Sequence, residues 1–183
     1  MAQGMAGDDT SVVLVELMTP DMANFYGTIH GGTILSFVDK AAFVCASRYA
    51  GTGCVTASVH QVDFLAPIYV GEVVTFLAKV DFVGRTSMDL NIRITAEDLR
   101  TGVKRLVNTC HVTMVAIKDG KPSPVPPYTP RTPEEIRMFA EAQVLRKLKK
   151  EHAAEAAKTF EEMDGLSPKE DLLEWLKQKR WLD

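Results

Sequence analysis

The chain predicts an α+β fold in which an antiparallel sheet curves around one long helix. Two observations carry this. A single apolar helix follows the first strand, and four strand-like runs then succeed one another with no further helix between them. That order suits a meander packed on a helix better than alternating parallel units. The polar, small residues 1–10 read as a flexible N-terminus, and residues 11–120 as the folded domain.

Ser11–Met18, with Val12, Val13, Leu14, Val15 and Leu17, reads as the first strand. The Thr19-Pro20-Asp21 turn leads into the loop Asn24-Phe25-Tyr26-Gly27-Thr28-Ile29-His30-Gly31-Gly32. A helix then runs to about Ala50, with Ile34, Val38, Ala41, Ala42, Cys45 and Tyr49 recurring at three- and four-residue steps. Leu35, Phe37, Val44 and Ala46 extend the apolar surface, so the helix reads as central and hydrophobic nearly all round. Gly51-Thr52-Gly53 stops it. Cys54–Leu65 is the next strand, closed by Ala66-Pro67. In Glu72–Val83 the residues Val74, Phe76, Ala78, Val80 and Phe82 alternate with polar ones. Thr86–Leu99 alternates most cleanly, with Met88, Leu90, Ile92 and Ile94 on one face and Ser87, Asp89, Asn91, Arg93 and Thr95 on the other. Val103–Lys118 is the last long strand. Gly84-Arg85 and Thr101-Gly102 mark hairpin turns.

Residues 121–133 form a proline-rich linker, and 134–183 a helical extension. Thr132-Pro133-Glu134-Glu135 is a capping box, repeated by Ser167-Pro168-Lys169-Glu170. The first extension helix runs to about Met163 with a stripe of Ile136, Ala140, Val144 and Leu148. The second carries Leu172, Leu173, Trp175, Leu176, Trp181 and Leu182. The stripe reads as a packing surface, on the core or on a neighbouring subunit, rather than a membrane-binding face.

Composition narrows the function. The 183 residues are 46% hydrophobic and 25% charged, with a net charge of −3. That balance offers no general basic field for nucleic acid or an anionic membrane. Cys45, Cys54 and Cys110 lack metal-ligand spacing and read as free thiols suited to a reducing cytosol. His60 and His111 lie on strands without a ligating partner at the right spacing, so neither metal nor cofactor is expected.

The loop before the long helix carries the chemistry. Asn24, the glycine-rich helix start and Asp39 fall within sixteen residues. A helix N-terminus presents unpaired N–H groups and partial positive charge, which suits an oxyanion. Gly31 and Gly32 would let a carbonyl approach those amides. Asp39 is the odd residue of an apolar helix, and an ionised carboxylate there is costly unless it is paired. From Gly32 to Asp39 is seven residues, or roughly 10 Å of helix axis at about 1.5 Å per residue. If both serve one site, Asp39 comes from a second subunit across a two-fold axis. The alternatives at this level are an ordinary Gly-Gly helix start, a surface aspartate and an Asn24 that only caps its loop.

Taken in order, several segments resemble the hotdog-fold acyl-CoA thioester hydrolases of the cytosolic type. They are Met18-Thr19-Pro20-Asp21-Met22-Ala23-Asn24, Gly27-x-x-His30-Gly31-Gly32, Asp39-x-Ala41, Val55-Thr56-x-x-Val59, Val62-x-Phe64-x-x-Pro67, Gly71-Glu72 and Gly84-Arg85-Thr86-Ser87-Met88. The resemblance spans roughly Val12 to Pro127. It implies hydrolysis of an acyl-CoA thioester in the cytoplasm, with coenzyme A as part of the substrate. It also implies a homodimer with active sites at its interface, Asn24 from one chain and Asp39 from the other, assembling further as a trimer of dimers.

In that picture the Gly31 and Gly32 amides stabilise the oxyanion. Asp39 is general base or nucleophile, and Asn24 orients the water or bonds the thioester. His30 is a hydrogen-bonder at the helix start, and Thr56 belongs to the substrate-binding set. Gly84, Arg85, Thr86 and Ser87 form a turn that contacts coenzyme A, with an ordinary hairpin as the alternative. Two other readings of the fold remain open at this stage: an acyl-thioester dehydratase or hydratase, with His30 and Asp39 as an acid–base pair, and a non-catalytic acyl-CoA sensor.

Overall fold

The computed structural model describes residues 11–166 and 169–179. The expectations for residues 1–10, for the capping residues Ser167 and Pro168, and for Trp181 and Leu182 fall outside them. The described residues divide into two compact units, one ending at Phe139 and the other beginning at Ala140.

The first unit has the predicted architecture. Its elements are β1 (Ser11–Leu17), α1 (Gly31–Ala50), β2 (Cys54–Phe64), β3 (Val73–Val83), β4 (Ser87–Glu97), β5 (Lys104–Lys118) and β6 (Lys121–Pro122). The sheet is antiparallel in the order β1-β3-β4-β5-β2, and β6 pairs with β5. Each predicted strand is present with its ends moved by one or two residues. The short β6 is an addition, formed where the turn at Asp119 (φ 51°) and Gly120 reverses the chain.

Period-two patterning decides which face meets the helix. Val74, Phe76, Ala78, Val80, Leu90, Ile92, Ile94, Cys110, Val112 and Met114 are sealed from solvent, together with Ile34, Val38, Ala41, Ala42, Cys45 and Tyr49 of α1. Ser87, Asn91, Arg93 and Thr95 take the opposite face, as alternation requires. There His60 and His111 serve the sheet face: His60 Nε2 lies 2.7 Å from Thr113 Oγ1, and His111 Nε2 lies 3.3 Å from Asn91 Nδ2. All three cysteines are buried and outside any disulfide.

The helix differs from its sequence reading in one respect. It is not apolar all round: Gly32, Ser36, Asp39, Lys40 and Phe43 form an exposed strip along one side. Asp39 therefore stands on an open face of the single chain and not in an apolar enclosure. Of the residues that carried the reading, Leu35 and Val44 are only partly buried, and the polar Ser36 and Lys40 stand beside Asp39 on the open side. Gly51, at φ 66°, ends the helix with its N–H donated to the Ser47 carbonyl, a left-handed cap that favours glycine.

The proline-rich stretch is tied to this unit. Val125 N–H donates to the Arg85 carbonyl, Ser123 N–H to Ala116 and the Tyr49 hydroxyl to Pro126. Tyr128 packs against Tyr49 and Phe139. The helix α2 (Pro133–Asp164) starts with the expected box: Glu135 N–H donates to Thr132 Oγ1, and the Glu135 carboxylate accepts from Thr132 N–H. In the second unit α2 is followed by α3 (Lys169–Gln178), and Lys179 pairs with Glu162 at 3.1 Å. Ile136, Val144 and Leu148 of the apolar stripe are exposed in the single chain. No helix among the described residues is long and apolar enough to cross a membrane.

Candidate active site

Asn24 shapes the loop that feeds the helix. Its Oδ1 accepts from the N–H of Tyr26 (2.9 Å) and of Thr28 (3.3 Å), and its Nδ2 donates to Thr28 Oγ1 (2.9 Å). This is the Asx-type turn expected of asparagine before a residue at positive φ, here Gly27 at 74°. Phe25 and Tyr26 at its tip are almost fully exposed.

The loop returns through Ile29, whose N–H donates to the Ile68 carbonyl at 2.8 Å, and His30, whose N–H donates to Met22 at 3.0 Å. His30 then acts as N-cap through its backbone. Its carbonyl accepts from Thr33 (3.0 Å) and Ile34 (3.2 Å), while its imidazole makes no capping bond and is exposed. A helix leaves its first amides without an intrahelical partner. Since Thr33 and Ile34 are taken, the amides of Gly31 and Gly32 remain, with no acceptor among the described residues. A methyl group on Gly31 would meet the Phe64 ring at 3.1 Å, whereas on Gly32 it would face open space.

Asp39 lies two turns along the same helix. Its Oδ1 accepts a hydrogen bond from the Thr56 hydroxyl at 2.5 Å, and Thr56 Oγ1 also lies 3.3 Å from Met114 Sδ. The sequence reading grouped Thr56 with substrate binding and did not foresee its contact with the carboxylate. Seventeen residues separate the two, too many for a local signal.

These groups do not converge within one chain. The helix start adjoins Phe64, at the end of β2. Thr56 lies near the beginning of that strand, roughly 25 Å away at about 3.3 Å per residue. The turn Gly84–Ser87 also lies at this second end. Gly84 N–H donates to Ser87 O, and Ala116, opposite Cys54 in the sheet, donates to Thr86 O. The Arg85 side chain is exposed there. The strand β2 is one of the two edges of the sheet path and exposes Val55, Val59 and Phe64. An unpaired edge of this kind is a template for another chain.

A cavity of about 720 Å³ opens at the helix-start end, lined by Tyr69, Glu72, Arg100, Val103 and Arg105 among others. Neither Asp39 nor Thr56 reaches it.

A thioesterase superfamily model matches residues 26–103. Protein VdlD of Helicobacter pylori is 44% identical over 132 residues, which are 72% of this chain and 76% of that protein. Among solved structures, an apo hexameric acyl-CoA thioesterase is 36% identical with a TM-score of 0.76, covering 79% of this chain and 94% of its own. The acyl-CoA hydrolase of Staphylococcus aureus, solved with butyryl coenzyme A, coenzyme A and coenzyme A disulfide, is 29% identical with a TM-score of 0.75, covering 85% and 95%. That enzyme has also been solved with an asparagine, an aspartate and a threonine singly replaced by alanine. Those three residues are spaced 15 and 17 apart, as Asn24, Asp39 and Thr56 are here. The fold, the family match and the relatives bear out the resemblance drawn from the motifs: the chain belongs to the thioesterase superfamily, among the acyl-CoA thioester hydrolases.

Proposed function

We propose that the chain hydrolyses acyl-CoA thioesters to a free acid and coenzyme A, at a site built from two copies. The observation that carries this reading is the pair of unpartnered amides at Gly31 and Gly32, on the helix whose Asp39 is held by Thr56. The amides donate to the thioester carbonyl oxygen and stabilise the oxyanion that forms on attack. A donor of this kind typically contributes about 3–4 kcal/mol to the transition state. Asp39 supplies the second function, either taking the proton of the attacking water or attacking the carbonyl itself. The thiolate of coenzyme A then leaves; on the second route this forms an Asp39 anhydride, which water hydrolyses to the free acid and the restored carboxylate. Thr56 holds the carboxylate, Asn24 fixes the loop and offers its second Nδ2 hydrogen, and His30 borders the amides. The exposed Arg85, with Gly84, Thr86 and Ser87, meets the phosphates and pantetheine of coenzyme A.

Three facts support two chains. The helix start and Asp39 lie roughly 10 Å apart on one rigid helix, β2 is an uncovered edge, and a hexameric acyl-CoA thioesterase is among the similar structures. A dimer is the smallest unit with complete sites, and a trimer of dimers the larger assembly. Three buried cysteines outside any disulfide fit a reducing, cytosolic setting.

The test is release of free coenzyme A from acyl-CoA esters of increasing chain length, comparing wild type with Asp39→Asn. Turnover that collapses in the variant is the expected result. No turnover on any ester, with esters still bound, would establish a sensor instead. Unchanged turnover in the variant would remove Asp39 from the mechanism.

A further inference from the structure

We propose that Glu72 and Arg105 are a positioning pair that sets the Gly31 and Gly32 amides; this rests on the reading of those amides as carbonyl-binding. The Arg105 guanidinium grips the Glu72 carboxylate with both arms, Nη1 to Oε1 at 2.7 Å and Nη2 to Oε2 at 2.8 Å. Each partner also reaches into the loop before β3. Arg105 Nη2 donates to the Pro67 carbonyl at 2.7 Å, and Glu72 Oε2 accepts the N–H of Tyr69 at 2.9 Å.

The residue between these two anchors is Ile68, whose carbonyl takes the N–H of Ile29, two residues before Gly31. The Thr28–Tyr69 bridge ties the same loops a second time. The Glu72 backbone binds the end of β1 as well, through Met18 N–H to Glu72 O at 2.9 Å. The segment that enters the helix start is therefore fastened to the loop Pro67–Tyr69, which the ion pair holds on either side of Ile68. Bidentate pairs fix direction as well as distance. The carboxylate is buried and the guanidinium only partly exposed, so the pair contributes to stability as well as to direction. Its product is placement: the peptides flanking Ile68 cannot tilt, so Ile29, His30 and the amides that follow hold one orientation.

The test uses Arg105→Met, which removes the fork, and Arg105→Lys, which keeps a point charge without it; Glu72→Gln serves where either fails to fold. Four quantities are read: kcat, KM, the affinity for an S-alkyl-CoA thioether and backbone amide exchange of a peptide spanning residues 29–34. The thioether lacks the carbonyl, so its binding does not use the amides. Arg105→Met is expected to lower kcat at least tenfold, with thioether affinity within twofold and faster exchange in residues 29–34. Arg105→Lys should recover only part of kcat. Unchanged kcat and exchange would overturn the proposal. So would a parallel loss of kcat, thioether affinity and thermal midpoint, which would mark the pair as a fold element only. Wild type that turns over no ester would defeat the hydrolase reading separately, and amide exchange would still decide whether the pair holds the helix start.

Discussion

Replacing the two glycines of the helix start one at a time separates backbone geometry from carbonyl access. At Gly32 an added Cβ meets nothing within 4 Å, and the residue lies in the first turn of α1. Alanine there relieves glycine's entropic cost, a gain of up to about 1 kcal/mol. For a chain of this size that raises the thermal midpoint by a few degrees at most, or roughly 2–4 °C per kcal/mol. At Gly31 the same methyl comes 3.1 Å from Phe64 Cζ and 3.3 Å from Cε1. The ring is half-exposed and gives by a few tenths of an ångström, so the cost stays near about 1 kcal/mol. Stability therefore predicts a harmless Gly32→Ala. The proposed chemistry predicts the reverse, because the methyl stands where a thioester oxygen must approach. Removal of one such donor typically lowers kcat by about 10²–10³, which bounds the loss expected where the methyl keeps the oxygen from the intact N–H. The assay is free coenzyme A release beside a thermal melt. Gly32→Ala with an undiminished melt and full kcat would refute a carbonyl approach past the Gly32 Cα.

Three further outcomes follow from the same geometry. Mixing inactive Asn24→Ala and Asp39→Ala chains under subunit exchange should restore activity, because one site of each mixed dimer regains both residues; confirmed mixed dimers without activity would refute the two-chain site. Burial pushes the Cys110 thiol up to about 11, so a thiol reagent at mildly alkaline pH should leave Cys110 intact in the native protein and modify it only after unfolding, as read by mass spectrometry of its peptide. For Glu72, burial acts to raise the carboxyl pKa, but the Arg105 hydrogen bonds, the Tyr69 amide and the Arg105 charge together hold it below the ordinary 4.5. A depressed carboxyl stabilises the fold above its unfolded value and loses that contribution as pH falls through the folded one. The melting difference between wild type and Glu72→Gln should therefore be largest near neutrality and shrink as the solution is acidified from about pH 6 to about pH 3.5.

Elements held by local rules were legible before any coordinates. The three- and four-residue steps from Ile34 to Tyr49 gave α1, and Gly51 gave its end. Alternation gave β3 and β4 almost to the residue. The two residues of β6 are too few to show a period, and they pair only because Asp119 and Gly120 turn the chain back. The open strip of α1 was hidden by Leu35 and Val44, whose hydrophobicity says nothing about how fully this chain buries them. For the site, residue types were readable and partners were not. The Thr56–Asp39 bond spans 17 residues and the Glu72–Arg105 pair 33, distances at which sequence holds no geometric signal. Glu72 stood in a recognised motif without a role; Arg105 was not singled out.

The helix α1 has a consequence for how paired sites would behave. In the two-chain arrangement its first turn serves one site and its third serves the other, joined by a continuous rod whose buried face is fixed by Ile34, Val38, Ala41 and Ala42. A rod transmits displacement. If substrate draws the first turn toward its carbonyl, the same axial movement shifts Asp39 in the opposite site by a comparable distance, and the twin helix returns the effect. Occupancy of one site would thus be felt mechanically at the other, so the two need not turn over independently even though they are chemically identical.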